Sequence, residues 1–419
     1  MKENIQDDIH HNRKHFESTK RNIVTKFSEE NSKIILDFLE ACKIRGKSYA
    51  RLTSYGDQAI MIFKLYNNTT QLNKFTKSDV EQIVSKIRDS NYAGNTKMLM
   101  ALTLKRLVHF ALHREIIEKN LDAKKDYDDM VDWVTPTRFM DKWDKIQAKD
   151  LLTDQEILDL ITATKKRGGK YTKRNIAMLF CLLEGAYRPA ELLQIKIGGV
   201  EFFDDHLKIY THGKTGPKTL TLVSSYPAIK EWISEHPKSD DLESWLWWQN
   251  NEEGRVSYTT FRLFIKRVAK ESGLKKRVWT YLFRHTALTQ YSKKLGNVAK
   301  VYGNWSSSST MLSRYEHLAD SDQANSILAL HGLKKNDDSQ SILFSKICER
   351  CKERNSADKS HCSKCGNILS KKLAQEREAR KMDSMKKLEK KFGNEILDMK
   401  QTIKSQQKLF EKLLNERKD

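Results

Sequence analysis

The stretch HLKIYTHGKTGPKTLTLV, residues 206–223, decides the fold. His206-Leu207-Lys208-Ile209-Tyr210 alternates apolar with polar, Gly213-Lys214-Thr215-Gly216-Pro217 is a turn, and Thr219-Leu220-Thr221-Leu222-Val223 alternates again. Two period-two runs joined by a Gly/Pro turn predict a β-hairpin, because successive side chains of a strand face opposite sides. The flanks have helical periods instead. Residues 171–186 predict a buried helix. Thr153-Asp154-Gln155-Glu156 is a capping box that opens another, carrying Ile157, Leu158, Leu160 and Ile161. Further helices follow the hairpin to about residue 332. The region 151–332 therefore reads as mainly α with a small antiparallel sheet, an α+β domain.

Upstream, residues 119–150 are charged, weakly periodic and interrupted by Pro136, which reads as a linker. Residues 29–118 carry four helical patterns. Ile34, Ile35, Phe38, Leu39 and Cys42 form one stripe, and Ala59, Ile60, Ile62, Phe63 and Leu65 a second. Thr76 with Asp79 caps a third, and Leu99, Leu102, Leu107, Val108 and Ala111 mark a fourth. Lys97, Lys105 and Arg106 interleave with these last positions and are candidate DNA contacts, a solvated face being the plainer reading. Residues 1–28 are polar and predict a flexible tail. Downstream, 333–345 reads as a linker, 346–369 holds a cysteine cluster, and 370–419 predicts a C-terminal helix. Met385, Leu388, Phe392, Ile396, Met399, Ile403, Phe410 and Leu413 recur at threes and fours, with Gln406 in one seam position. That pattern fits a short coiled coil with a stutter at 388–392–396, or else a single amphipathic helix packed on the body.

Composition narrows the function. Lys and Arg total 76 against 55 Asp and Glu, a formal charge of +21 over 419 residues. Such a surplus attracts polyanions, nucleic acid first among them. There is no apolar run of 18 residues and no signal-peptide core in the first twenty, so the expected setting is the cytoplasm, with no membrane partner. Thiols stay reduced there. Cys42 and Cys181 sit singly on apolar helical patterns and read as core. Cys348-x-x-Cys351 and Cys362-x-x-Cys365 stand ten residues apart and read as a tetrahedral Zn²⁺ site, with a redox pair or an iron–sulfur cluster as rivals. Four thiolates leave no open position, so the zinc would be structural, and His361 is not needed as a ligand. Trp245-Leu246-Trp247-Trp248 reads as packing rather than base stacking, for lack of a basic groove around it.

Chemistry on a phosphodiester needs fixed cations for the charge that builds on the phosphate oxygens, a nucleophile, and a proton donor for the departing oxygen. Four segments hold such groups. Gly185-Ala186-Tyr187-Arg188-Pro189-Ala190-Glu191-Leu192-Leu193 puts Arg188 at a helix start, with proline in the first position. The hairpin turn carries Lys214 between Gly213 and Gly216. Thr280-Tyr281-Leu282-Phe283-Arg284-His285-Thr286 brings Tyr281 and Arg284 to one helix face. Residues 303–318, GNWSSSSTMLSRYEHL, contain Trp305 and Tyr315.

In this order the segments resemble the catalytic boxes of the tyrosine recombinases, the phage-integrase or Xer-like family, and in particular an archaeal-type member with a C-terminal zinc ribbon. The resemblance spans about 30–332 and is strongest over 176–318. It implies a helical, SAM-like core-binding domain over 29–118 and a catalytic domain over 151–332, closing on duplex DNA as a clamp. It further implies that Arg188 and Arg284 are the catalytic arginines and that Lys214 protonates the leaving 5′ oxygen. Tyr315 would be the nucleophile of a 3′-phosphotyrosyl link. Trp305 stands where the family has His or Trp, supporting the phosphate. The sequence departs from the family at Tyr281, which occupies the usual His position and is a poorer proton shuttle near pH 7. His285 follows, but adjacent helix positions face different directions. The implied function is site-specific recombination of double-stranded DNA by a homo-tetramer, with no metal or ATP in the chemistry. A weak or inactive DNA-binding relative, which Tyr281 favours, and a type IB topoisomerase-like enzyme are the alternatives.

Overall fold

The computed structural model describes residues 9–66, 70–117, 126–140, 146–213, 216–316 and 343–415. The chain divides into two units, residues 1–151 and 152–419.

The first unit is helical. Its main elements are α1 (Asn12–Lys26), α2 (Glu29–Ile44), α3 (Tyr49–Tyr66), α4 (Lys77–Asp89) and α5 (Gly94–His113), followed by the short α6 (Asp129–Asp132). The core runs through Ile35, Phe38, Leu52, Ile62, Ile83, Leu104 and Val108. The expected Thr76/Asp79 capping box opens α4.

Two expectations fail here. The polar tail is not a tail from residue 12 on. Phe16, Thr19 and Ile23 bury one side of α1, three contacts at helical spacing within a run otherwise charged. The linker assigned to 119–150 is part of the domain where it is described. Tyr127, Val131, Val134 and Phe139 are buried in the same core, the Tyr127 hydroxyl donates to the Ile117 carbonyl at 3.1 Å, and Asp128 caps α6. Irregularly spaced anchors in a charged segment carry no period, so a pattern reading passes over them. Residues 118–125 and 141–145 lie outside the described residues.

The second unit begins at the capping box Thr153/Glu156 of α7 (Asp154–Arg167). It continues through the buried α8 (Thr172–Glu184) and the five-residue α9 (Pro189–Leu193) into a three-stranded antiparallel sheet. The strands are β1 (Val200–Phe202), β2 (Leu207–Gly213) and β3 (Gly216–Leu222), ordered β1-β2-β3, and Gly213 pairs with Gly216 to close the hairpin. Then come α10 (Tyr226–Ile233), α11 (Tyr258–Glu271), α12 (Thr280–Leu295), α13 (Ala299–Gly303) and α14 (Ser313–Glu316). Glu184 caps α10 from a distance, accepting from the amides of Val223, Ser224 and Ser225 at 2.7–2.8 Å. The tryptophan run is packing: Trp247 is fully buried and its indole donates to the Leu192 carbonyl at 2.7 Å.

Beyond residue 342 a small ribbon pairs β4 (Lys346–Ile347) with β5 (Arg354–Asn355). It docks on the helical body of this unit through charge. Lys165 of α7 pairs with the buried Asp358, and Lys359 pairs with Glu231 of α10 at 2.9 Å. Helix α15 (Lys371–Asn415) is 45 residues long, with Met385, Leu388, Phe392, Ile396, Met399 and Ile403 exposed. No helix among the described residues is long and apolar enough to cross a membrane.

Candidate active site

Three turns build the site. The first follows α8. Gly185 has no Cβ, and a Cβ there would fall 2.0 Å from the Tyr187 ring, so Tyr187 folds back and is fully buried. Ala186 takes a left-handed φ of 45°. Arg188 then stands directly before α9, its side chain 23% exposed. The second turn follows α13. A Cβ on Gly303 would fall 2.4 Å from the Trp305 ring, so glycine lets Trp305 lie back on the helix, and Asn304 supplies the left-handed turn at φ 49°. The third is the start of α12, which presents Arg284 inward and leaves Tyr281 39% exposed.

A single carboxylate joins them. Glu191 is fully buried in α9. Its Oε2 accepts from the Arg188 backbone N–H at 3.0 Å and its Oε1 from the Arg188 guanidinium at 2.5 Å. Arg284 Nη1 approaches Oε2 to 3.9 Å, and Lys218 Nζ lies 3.4 Å from the same oxygen. Burial alone would raise the Glu191 carboxyl. Lys218 and the bonds from Arg188 outweigh it and hold the group below the usual carboxylate range. Arg284 is 3% exposed, and its guanidinium donates to the carbonyls of Ala186 at 2.6 Å and Gly303 at 2.7 Å.

Tyr315, on α14, packs between Trp305 and His285, with ring centroids 5.4 and 5.6 Å away. The Arg284 guanidinium lies 5.6 Å from the Trp305 ring centre. Burial raises the Tyr315 phenol above its ordinary value, and Arg284 and Arg188 pull against that rise. The Tyr281 phenol behaves alike: burial raises it while Arg188 and Arg284 oppose. Thus Arg188, Arg284, Trp305, Tyr281 and Tyr315 occupy one neighbourhood. Lys214 lies outside the described residues.

Three residues without an expected role belong to this neighbourhood. His285 stacks on Tyr315. It is turned about 100° around the helix from Arg284, and both side chains reach the tyrosine. Burial, reinforced by Arg284, lowers its imidazole to about 4, so it is neutral near pH 7. Glu191 had a signal, an acid three residues after Arg188 among apolar neighbours. So did Lys218, which alternation places on the inward face of β3 with Leu220 and Leu222.

The candidate DNA cations of the first unit fare differently. Lys105 donates to the Asp132 carbonyl at 2.6 Å and is only 12% exposed, and Arg106 bonds the Tyr55 hydroxyl. Both hold their own domain together, which argues against reading them as a free cationic face. Lys97 reaches the Arg88 carbonyl at 2.7 Å.

In the ribbon, the Sγ atoms of Cys348, Cys351, Cys362 and Cys365 lie within 4.8 Å of one another, with 3.6 Å for 348–365 and 3.5 Å for 351–362. A tetrahedral Zn²⁺ with Zn–S of about 2.3 Å spaces its sulfurs by about 3.8 Å, so the donor set fits. Asn355 Nδ2 lies 3.6 Å from the Cys362 sulfur, a hydrogen bond of the kind that orients a thiolate ligand.

Residues 150–322 match the phage integrase family. Among solved structures, the chain is similar to the XerH site-specific recombinase bound to palindromic difH substrate in a post-cleavage complex, at 15% identity over 78% of this chain and 98% of that one, TM-score 0.52. It is also similar to a lambda integrase tetramer bound to a Holliday junction (16%, 68% of this chain and 76% of that one, TM-score 0.51) and to the Tn1549 transposon integrase in complex with transposon right end DNA (12%, 71% and 99%, TM-score 0.50). At these identities the likeness shows the fold. No curated protein matches the chain. A mostly helical domain with a small antiparallel sheet and this family match defines a DNA strand-transfer enzyme. Residues 150–322 are a domain of the phage integrase family, the tyrosine recombinases, and the chain that carries it is a DNA recombinase.

Proposed function

We propose that this recombinase is site-specific and cleaves each DNA strand by attack of the Tyr315 hydroxyl on a phosphodiester gripped by Arg188 and Arg284. The observation that carries this reading is the grouping of residues up to 127 positions apart in the sequence: Arg188 and Arg284 meet about the buried Glu191, and Tyr315 lies beside the two arginines. The two guanidiniums would meet the charge that grows on the non-bridging oxygens as phosphorus becomes pentacoordinate. The new bond is a 3′-phosphotyrosyl ester, and the bond to the 5′ oxygen breaks. Lys214, which the sequence places between Gly213 and Gly216, would protonate that oxygen. A 5′ hydroxyl from another strand then reverses the step, with no metal or ATP in the chemistry. Trp305 would back the phosphate site, and Tyr281 would donate a hydrogen bond where the family uses histidine. The retained arginines and tyrosine favour an active enzyme over a DNA-binding relative.

The four ribbon cysteines would hold a structural Zn²⁺, whose chemistry is to cross-link the two knuckles. Assembly as a homo-tetramer on paired duplexes, aided by a coiled coil of α15, follows from the resemblance to archaeal-type members and from the exposed seam of that helix.

The test uses the full chain with sheared, lightly nicked duplex DNA from the genome that encodes it, quenched in detergent. Covalent protein–DNA adduct should form with the wild type, map to Tyr315 and vanish in Tyr315→Phe. Equal adduct from both proteins overturns the assignment of the nucleophile. Relaxation of supercoiled DNA lacking any recombination site would instead support the topoisomerase alternative.

A further inference from the structure

Lys218 is a charged side chain on the core face of a strand. It stands on β3 with Leu220 and Leu222, and the residue is 4% exposed. Burying an ammonium costs several kcal/mol unless its donors are met, and a leucine would pack there more cheaply. Here all three donors are met. Nζ lies 2.7 Å from the Tyr302 carbonyl, 3.1 Å from the Gly185 carbonyl and 3.4 Å from Glu191 Oε2, with the Tyr187 ring centre 4.6 Å away.

Those acceptors pair off against those of Arg284. Lys218 takes Gly185 and Arg284 takes Ala186. Lys218 takes Tyr302 and Arg284 takes Gly303. Both approach the same oxygen of Glu191. Two cations from different elements thus hold the same two turns and the same carboxylate side by side. One turn leads into Arg188 and the other into Trp305.

We propose that Lys218 is a positioning residue for DNA cleavage: its buried ammonium locks the turns at 185–186 and 302–303 onto Glu191 and so fixes where both arginines point. The inference rests on the proposed roles of Arg188, Arg284 and Tyr315. Lys218 does not touch the phosphate, and its effect passes through Glu191 and the two turns. Take the ammonium away, and Arg284 alone must bridge both turns, so its guanidinium is free to shift. A displacement of about 1 Å at such donors is enough to slow the reaction.

The lysine also carries a signature. The charged groups around it are Glu191 and Arg188 at α9 and Arg284 on α12. The neutral titratable neighbours are Tyr187, Tyr302 on α13 and Cys181 on α8. Burial pushes its ammonium down to about 7, with Glu191 opposing and Arg284 adding to the fall. Its folded value thus lies below the ordinary 10.5, so the folded enzyme loses this proton as pH rises through about 7 while the unfolded chain keeps it. An arginine at the same position stays charged throughout.

The experiment measures single-turnover adduct formation and DNA affinity for wild type, Lys218→Met and Lys218→Arg, from pH 6 to 8.5. At saturating DNA and pH 6.5, Lys218→Met should cleave about 10-fold or more slowly, as loss of an aligned transition-state donor does, with DNA affinity within about threefold of wild type. Lys218→Arg should recover most of the rate. At limiting DNA the wild-type rate should fall above about pH 7, and the Lys218→Arg rate should not. A wild-type rate in Lys218→Met, or a loss confined to affinity, overturns the proposal. Should Lys218→Met not fold, the other two proteins decide, and identical pH profiles overturn it. Absence of adduct from the wild type would instead strike at the proposed nucleophile.

Discussion

Two of the β-hairpins in the second unit are held together in opposite ways. The hairpin of β2 and β3 has seven residues per strand and an inward face of Leu207, Ile209, Leu220 and Leu222, all buried. That apolar face is enough to anchor it, and it carries the charge of Lys218 into the interior besides. The hairpin of β4 and β5 has two residues per strand, with Ile347 56% exposed. It has almost no apolar face, and four thiols stand where side-chain packing would be. A strand with a core can spend an inward position on chemistry, whereas one without a core must spend its chemistry on staying folded.

The sharpest way to break that comparison is to strip metal. Chelation, or Cys362→Ser with Cys365→Ser, should abolish amide protection throughout 346–369, since structural zinc couples about 10–16 kcal/mol to folding in isolated fingers. Amides of β2 and β3 should keep theirs. Retained protection in the ribbon after zinc is shown to be gone would mean that packing holds it after all. The converse change is Leu220→Ala, expected to cost about 2–5 kcal/mol in denaturant unfolding of the catalytic fold. A cost under about 1 kcal/mol would mean that the buried polar cluster, not the apolar face, anchors the hairpin. The smallest effect is at the joint between ribbon and body. Lys165→Met leaves the carboxylate of Asp358, itself 5% exposed, without its cation. We expect about 1–2 kcal/mol of easier local opening of the ribbon by hydrogen exchange, with the metal still bound. Unchanged exchange would assign the docking to the Lys359–Glu231 pair instead.

What could be read from the sequence follows the same division. The β2–β3 hairpin, the capping boxes at Thr76 and Thr153 and the cysteine spacing were legible because each is a local pattern with one physical cause. Helix α1 and the packed segment 126–139 were not, because they are held by a few apolar anchors whose partners lie far along the chain. The catalytic boxes could be recognised in order, but what joins them could not. Glu191 and Lys218 both lay within quoted segments, yet a bond from β3 to the carbonyl of Tyr302, 84 residues away, leaves no mark on local sequence. The helical wheel separates His285 from Arg284, yet both reach Tyr315, a neighbour whose location no helical wheel supplies.

The two carbonyls that grip Arg284 also say when the ordering of this side chain is settled. With Nη1 on Ala186 and Nη2 on Gly303, the guanidinium cannot swing between rotamers, and the freedom it would otherwise surrender on meeting a phosphate has already gone during folding. Its plane and heading are therefore properties of the empty enzyme. In the proposed role for Arg284, an arriving backbone would have to conform to that orientation, which would make the rigid arginine a gauge of DNA geometry as well as a source of positive charge.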